Sequence, residues 1–176
     1  MIKIRFSGLG GQGIVKVGYL LGNAAVLDGK NAVQTRSYGS AYRGTTCKSD
    51  VIISDSEIYE LEFHDSDILV CFSQEAYDYY NKELKHEGKL FIDEDLVKTE
   101  KTHQIFYRIP ATSLSYKYFS KDIFRNIIIL GYLIAVTELV SKKSVEKVIS
   151  QIMPQGTKKL NLQAFEIGYK QGFISF

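Results

Sequence analysis

At 176 residues, 45% hydrophobic, 12% aromatic and 24% charged, the chain has the size and composition of one globular domain spanning residues 1–176, which excludes disordered, collagen-like and low-complexity sequence. Twenty-two basic against twenty acidic residues leave a formal net charge of +2, and no Lys/Arg run supplies the electrostatic footprint of a nucleic-acid binder. The longest charge-free apolar stretch, Asn126 to Thr137, is far short of the ~20 residues of a membrane span. Met1 to Arg5 opens into a strand pattern rather than a signal peptide, so a cytoplasmic setting is expected. The cysteines, Cys47 and Cys71, lack CxxC spacing, and His64, His86 and His103 are scattered. No metal or cluster site is therefore expected on this chain.

Ile2 to Ser7 reads as a strand, and Gly8 to Gly13 as a glycine-rich turn. Ile14 to Leu27 places Ile14, Val17, Leu20, Leu21, Ala24 and Ala25 at helical spacing, stopped by Asp28-Gly29. Gly18 and Gly22 on this helix suit close packing. A second strand is expected over Asn31 to Thr35, then a polar loop from Arg36 to Thr46, then an alternating strand over Cys47 to Ser54, suited to a sheet edge. Ile68 to Phe72 has the unbroken apolar run of a buried strand. Ser73 should cap a helix from Gln74 to about His86, with Gly88 past its end. Strands follow at Lys89 to Ile92 and Ile105 to Ile109. Lys121 to Val140 reads as one long, deeply buried helix. Ser144 should cap a helix to Met153, and a last helix runs from Leu162 to Gln171. The sum is a three-layer α/β/α domain with a mostly parallel, mixed sheet and a Rossmann-like start.

Gly8-Leu9-Gly10-Gly11-Gln12-Gly13 fits GxGxxG between a strand and a helix, where glycines allow the tight turn and free helix N–H groups face an anion. An NAD site also wants an acid at the end of the second strand, and Gln34-Thr35-Arg36 offers none. Arg36 could serve NADP. An ATP-dependent adenylating enzyme would need the same missing acid. Alternatively the glycines serve packing alone.

Further along, Gln34-Thr35-Arg36-Ser37-Tyr38-Gly39 and Arg43-Gly44 are followed by Ser73 to Tyr77, Ile109 to Thr112, Asn126 to Gly131 and Asn161 to Tyr169. Together with the glycine loop, these stretches resemble, in order and over essentially the full length, the gamma subunit of the 2-oxoacid:ferredoxin oxidoreductases. Ser40-Ala41 and Gly44-Thr45 depart from the family's usual spelling. The resemblance implies a subunit of an enzyme that converts a 2-oxoacid and coenzyme A to acyl-CoA and CO2, reducing ferredoxin or flavodoxin. Among substrates, 2-oxoglutarate is favoured over pyruvate and branched-chain 2-oxoacids. Thiamine diphosphate with Mg and the iron–sulfur clusters would belong to alpha, beta and ferredoxin-like delta subunits. This chain would be inactive alone, and could pair with itself when isolated.

The resemblance further implies a share in the coenzyme A site, for which Gly8, Gly10, Gly11, Gln12 and Gly13, with Tyr38 and Arg43 nearby, are the candidates. The same surface could instead only seat partner subunits. Cys71 reads as a packed thiol, Cys47 as the more exposed one, and Asp93-Glu94-Asp95 as a solvated turn. Tyr116, Tyr118, Phe119 and Phe124 read as core, or as a contact with another subunit.

Overall fold

The computed structural model describes residues 1–38, 46–99 and 105–174. In it, β1 (Ile2–Leu9) leads through the glycine loop into α1 (Ile14–Leu27), followed by β2 (Asn31–Tyr38), β3 (Thr46–Ser54), β4 (Ser66–Cys71), α2 (Gln74–Tyr80), β5 (Leu84–Asp93) and β6 (Ile105–Ile109). Four further helices close the chain: α3 (Ala111–Phe119), α4 (Arg125–Thr137), α5 (Lys142–Ile152) and α6 (Lys158–Gln171).

The sheet order is β2-β3-β1-β4-β5-β6. β1, β4, β5 and β6 pair in parallel, whereas β3 runs antiparallel to both β1 and β2. The expected mixed, mostly parallel sheet is present, but β3 is internal rather than an edge. Its alternation has a different cause. Asp50 and Lys48 face one side of the sheet, and Cys47, Ser49 and Val51 the other, in register with Arg5, Ser7, Gly8, Phe6 and Ile4 of β1.

Alternation sorts each strand between two cores. Ile4, Phe6, Val51, Ile68, Val70 and Phe91 pack with α1, α4, α5 and α6 in the larger one, and Leu69, Cys71, Leu90 and Ile92 pack with α2 in the smaller. Helices on both faces give the α/β/α layering. At Gly18 an added Cβ would lie 2.3 Å from Ser49 Oγ, so α1 needs this glycine to approach β3; Gly22, 4.0 Å from the nearest atom, is under no such demand.

Other expectations are corrected by tertiary contacts. α2 stops at Tyr80, and a single 3-10 turn (Asn81–Glu83) leads into β5, whose first residues include Gly88. Pairing of Ser66 with Leu84, across an irregularity in the β4–β5 register, pulls Leu84 to Gly88 into the sheet. The long helix of residues 121–140 is only Arg125–Thr137, closed by Glu138 in the left-handed conformation at φ 50°. α3 was not anticipated. Its first turn is held from outside the helix: Thr112 donates to Asp93 (2.6 Å) and Ser113 to Asp95 (2.8 Å). Asp93 is therefore fully buried rather than in a solvated turn.

α5 is capped by Ser141, not Ser144. Asp28, at the end of α1, accepts from the hydroxyls of Ser141 (2.8 Å) and Ser144 (2.5 Å). Burial alone would push the Asp28 carboxyl up, but the bonds from Ser144 and Ser141 outweigh it and hold the group below its ordinary value of 3.8. A lowered pKa means that this cap is complete above that value and is lost as pH falls through the lower one. Asp28→Asn should thus cost about 1 kcal/mol at pH 7, measured by urea unfolding, with the difference from wild type shrinking below pH 4.

Candidate functional site: a cavity before three helix N-termini

The glycine loop is built around the Gln12 side chain. Leu9 N–H donates to Gln12 Oε1 (2.7 Å), and Gln12 Nε2 donates to the Phe72 carbonyl at the end of β4 (2.9 Å). Gly8 is required by this fold-back, since a Cβ there would lie 2.4 Å from Gln12 Oε1. Gly13 sits at φ 77°, and its Cβ would lie 2.1 Å from Asn126 Nδ2. The loop thus touches the start of α4 directly.

On that side lies a cavity of about 370 Å³, within the size range of small-molecule sites. Gly11 to Gly13 and Lys16 wall it from the start of α1, Arg125 and Asn126 from the start of α4, and Thr157 and Asn161 from the start of α6. None of these three helices has a side-chain cap or an acidic residue in its first turn. Each carries cations there instead: Lys16 in α1, Arg125 in α4, and Lys158 and Lys159 in α6. Helix N-termini ordinarily attract acidic residues, because their free N–H groups carry partial positive charge. Three N-termini with the reverse pattern border one cavity, which Lys16 and Arg125 line, an arrangement suited to an anion. At α4 and α6 the Arg125 N–H is held by the Asp122 carbonyl (3.1 Å) and the Lys158 N–H by that of Pro154 (2.9 Å).

Two buried amides complete the wall. Asn126 Oδ1 accepts from Ile127 N–H (2.8 Å), and Asn161 Nδ2 donates to the Thr157 carbonyl (2.9 Å). One acid, Asp122, also lines the cavity, and it is paired with Arg125 at 2.8 Å. The rim is apolar and open, with Ile123 60% exposed.

On the loop's other flank is a second hollow of about 520 Å³, bounded by Gly10, Gly11, Lys16, Tyr19, Arg36 and Cys47 among others. Among the candidates named from sequence, Gly10, Gly11 and Gly13 border one or both spaces, while Gly8 and the Gln12 amide are engaged within the loop. Tyr38 ends β2 opposite Cys47, which is itself opposite Gly8. Arg43 lies outside the described residues. Lys16, Arg125, Asn126, Thr157 and Asn161 were not named, although Asn126 and Asn161 begin two of the stretches that carry the resemblance. Of the three cationic first turns only that of α1 is legible in sequence, because the spacing predicts helix starts at Lys121 and Leu162 rather than at Arg125 and Lys158.

Nor is the loop set as in a dinucleotide fold, which places the end of the second strand beside the first. Here antiparallel β3 intervenes, and Gln34 spends its amide on the Val15 carbonyl (2.9 Å) and Ser49 Oγ (2.8 Å). Cys47 proves buried rather than exposed, and burial pushes its thiol up. Burial pushes the Cys71 thiol up to about 12, so it stays a protonated packing group at neutral pH. Among the described residues, no group of three or more His, Cys, Asp and Glu could hold a metal ion.

The family model for pyruvate ferredoxin/flavodoxin oxidoreductase matches residues 3–171. The chain belongs to this family. Within the pyruvate ferredoxin/flavodoxin oxidoreductases it is a gamma-subunit-like member. It is 46% identical to the 2-oxoglutarate synthase subunit KorC of Methanocaldococcus jannaschii, over 96% of this chain and 92% of that protein. To the pyruvate synthase subunit PorC of Methanothermobacter marburgensis it is 29% identical, over 97% of each. The crystal structure of a keto/oxoacid ferredoxin oxidoreductase gamma subunit from Geobacter sulfurreducens superposes with a TM-score of 0.88 at 36% identity, covering 99% of both chains. Family membership makes this chain a subunit of a 2-oxoacid:ferredoxin oxidoreductase.

Proposed function

We propose that this subunit serves a 2-oxoglutarate-oxidising enzyme of the family and supplies part of its coenzyme A site. The cavity before α1, α4 and α6 carries the reading. Coenzyme A presents a pyrophosphate and a 3′-phosphate, and such groups are held by free backbone N–H groups and by Lys or Arg. The uncapped start of α1 after Gly13 offers such N–H groups, the Gln12 N–H being held by the Leu9 carbonyl (3.2 Å), and Lys16 and Arg125 supply the cations. Asn126 and Asn161 add side-chain amides that can select orientation. In this arrangement the chain binds and orients the cosubstrate, whose thiol takes up the acyl group. Thiamine diphosphate with Mg and the iron–sulfur clusters would lie on the alpha, beta and delta partners, with ferredoxin or flavodoxin as the acceptor. The closer likeness to a 2-oxoglutarate synthase subunit than to a pyruvate synthase subunit supports 2-oxoglutarate as the acid.

Lys16 is exposed, so its removal should leave the fold intact. In the assembled enzyme, Lys16→Ala should raise the KM for coenzyme A about tenfold and leave the KM for 2-oxoglutarate nearly unchanged. A second reading, that this face only seats a partner subunit, is favoured by exposed Ile123, Tyr116 and Tyr118 on the α3–α4 side. It requires the coenzyme A constant to stay fixed in Lys16→Ala while subunit assembly weakens. Faster turnover of pyruvate than of 2-oxoglutarate by the complex would overturn the choice of acid. A free-standing enzyme using NAD(P) or ATP would instead bind that nucleotide as an isolated chain at micromolar concentration. The internal position of β3 and the engaged Gln34 speak against it.

A further inference from the structure

We infer that the cavity holds the pantetheine arm of coenzyme A, with one of its amides between Asn126 and Asn161, and that the 3′-phosphoadenosine end lies on the other flank of the glycine loop. This orientation rests on the coenzyme A site proposed above. Two side chains and one acid decide it.

Asn126 and Asn161 are each only 6% exposed. Their backbone partners fix which amide atom is spent: Asn126 Oδ1 accepts from Ile127 N–H, and Asn161 Nδ2 donates to the Thr157 carbonyl. That leaves Asn126 Nδ2, a donor, and Asn161 Oδ1, an acceptor, with no hydrogen-bond partner among the described residues. Among those residues the enclosed, unpartnered side-chain oxygens and nitrogens come down to Asn81 Oδ1, so neither of these two atoms is sealed off. Both asparagines line the cavity, and Asn126 Nδ2 stands against Gly13 at the start of α1. A group that matches them must both accept and donate a hydrogen bond.

An ionised phosphate only accepts. It suits Lys16 and the uncapped start of α1, but at Asn161 it would set oxygen against oxygen. A secondary amide offers one C=O and one N–H, and the pantetheine arm is built on such amides. An adenine edge also offers both. Its ribose, however, brings the 3′-phosphate, with about two negative charges at neutral pH, toward the Asp122 carboxylate that lines this cavity. Arg125 is already paired with that acid at 2.8 Å. The pantetheine arm carries no charge. The hollow on the loop's other flank shares Gly11, Gly13 and Lys16 with the cavity, and its described lining includes Arg36 and no acid. A pyrophosphate at Lys16 and the start of α1 thus leaves each end of the molecule in the space that matches its charge.

The test uses the assembled enzyme at saturating 2-oxoacid, with adenosine 3′,5′-bisphosphate as a competitor of coenzyme A that lacks the arm. Asn161→Ala should raise the KM for coenzyme A about tenfold and leave the Ki of the bisphosphate within about twofold. Lys16→Ala should raise both constants together. A purely structural role for Asn161 would also move both. A second measurement changes the ligand instead of the protein. Of the coenzyme A analogues with a single pantetheine amide replaced by an ester, one should show a KM raised about tenfold in the wild type and no further in Asn161→Ala. An unchanged KM or equal rises of KM and Ki in Asn161→Ala, or ester analogues used as well as coenzyme A, would overturn the orientation. Lys16→Ala with both constants unchanged would overturn the coenzyme A site itself.

Discussion

Arg5→Met should destabilise the chain by about 4 kcal/mol, the range for removing one partner from a buried ion pair. Arg5 is fully buried in β1. Its Nε and Nη2 each donate to one Asp50 oxygen at 2.7 Å, and Nη1 pairs with Glu83. Nη2 also donates to the Phe63 carbonyl (3.0 Å) and Nη1 to that of His64 (3.3 Å). The guanidinium lies between the rings of Phe63 and Tyr80, at 5.0 and 5.3 Å. Burial would lower its pKa, but Asp50 and Glu83 outweigh that and raise it. One side chain thereby ties β1 to β3, to the segment at residues 63–64 and to the turn before β5. Methionine keeps the volume but leaves Glu83 and two carbonyls without their donor, and Asp50 with Lys48 alone, at 3.1 Å. Since domains of this size are stable by only ~5–15 kcal/mol, urea unfolding should show the midpoint greatly lowered. The triple variant Arg5→Met, Asp50→Asn, Glu83→Gln should recover most of the loss, because it removes the charges together. A loss below about 1 kcal/mol in Arg5→Met would show the network to be dispensable.

The second large effect is expected at Gly168. An added Cβ would lie 1.8 Å from the Ile128 carbonyl oxygen, and one on Gly131 would lie 2.2 Å from the Phe165 carbonyl oxygen. α4 and α6 therefore cross with backbone against backbone, each contributing one glycine to the contact. Gly168→Ala must push the helices apart or distort a carbonyl, costing about 3 kcal/mol as over-packing of a tight core. Gly156→Ala, with nothing within 4 Å of its Cβ, is the control and should change stability by less than about 0.5 kcal/mol. The crossing also sets how the starts of α4 and α6 stand around the cavity. The proposed coenzyme A site then predicts that, in any Gly168→Ala complex that still assembles, the KM for coenzyme A rises with the loss of stability. Unchanged melting of Gly168→Ala would contradict the close crossing.

The features legible from sequence are those with local causes. The β1–loop–α1 unit follows from a strand, six residues rich in glycine, and apolar residues at helical spacing. The buried Cys71, the Ser73 cap of α2, and β6 ending at Pro110 follow likewise from short-range pattern. Ser73 Oγ does accept from Ala76 N–H at 3.2 Å. What was missed depends on partners distant in the chain. α3 is a poor helix former by composition, rich in Ser, Thr and aromatic residues, and its first turn is held by Asp93 and Asp95 from the end of β5. The polar start of β5 continues a helical pattern on paper, and only its pairing beside β4 makes it a strand.

The same division holds for the site. Sequence by itself determined the glycine loop and the family, because both are written in short contiguous stretches, whereas the cationic first turns of α4 and α6 follow from helix starts at Arg125 and Lys158 that the spacing alone does not give. Only the tertiary structure decided that antiparallel β3 separates β2 from the loop, and that Lys16, Arg125, Thr157 and Asn161 border one cavity. Those positions are brought together by the sheet order and by the glycine-to-glycine crossing of α4 and α6. Neither is set by local propensity, since both follow from which faces can be buried against one another.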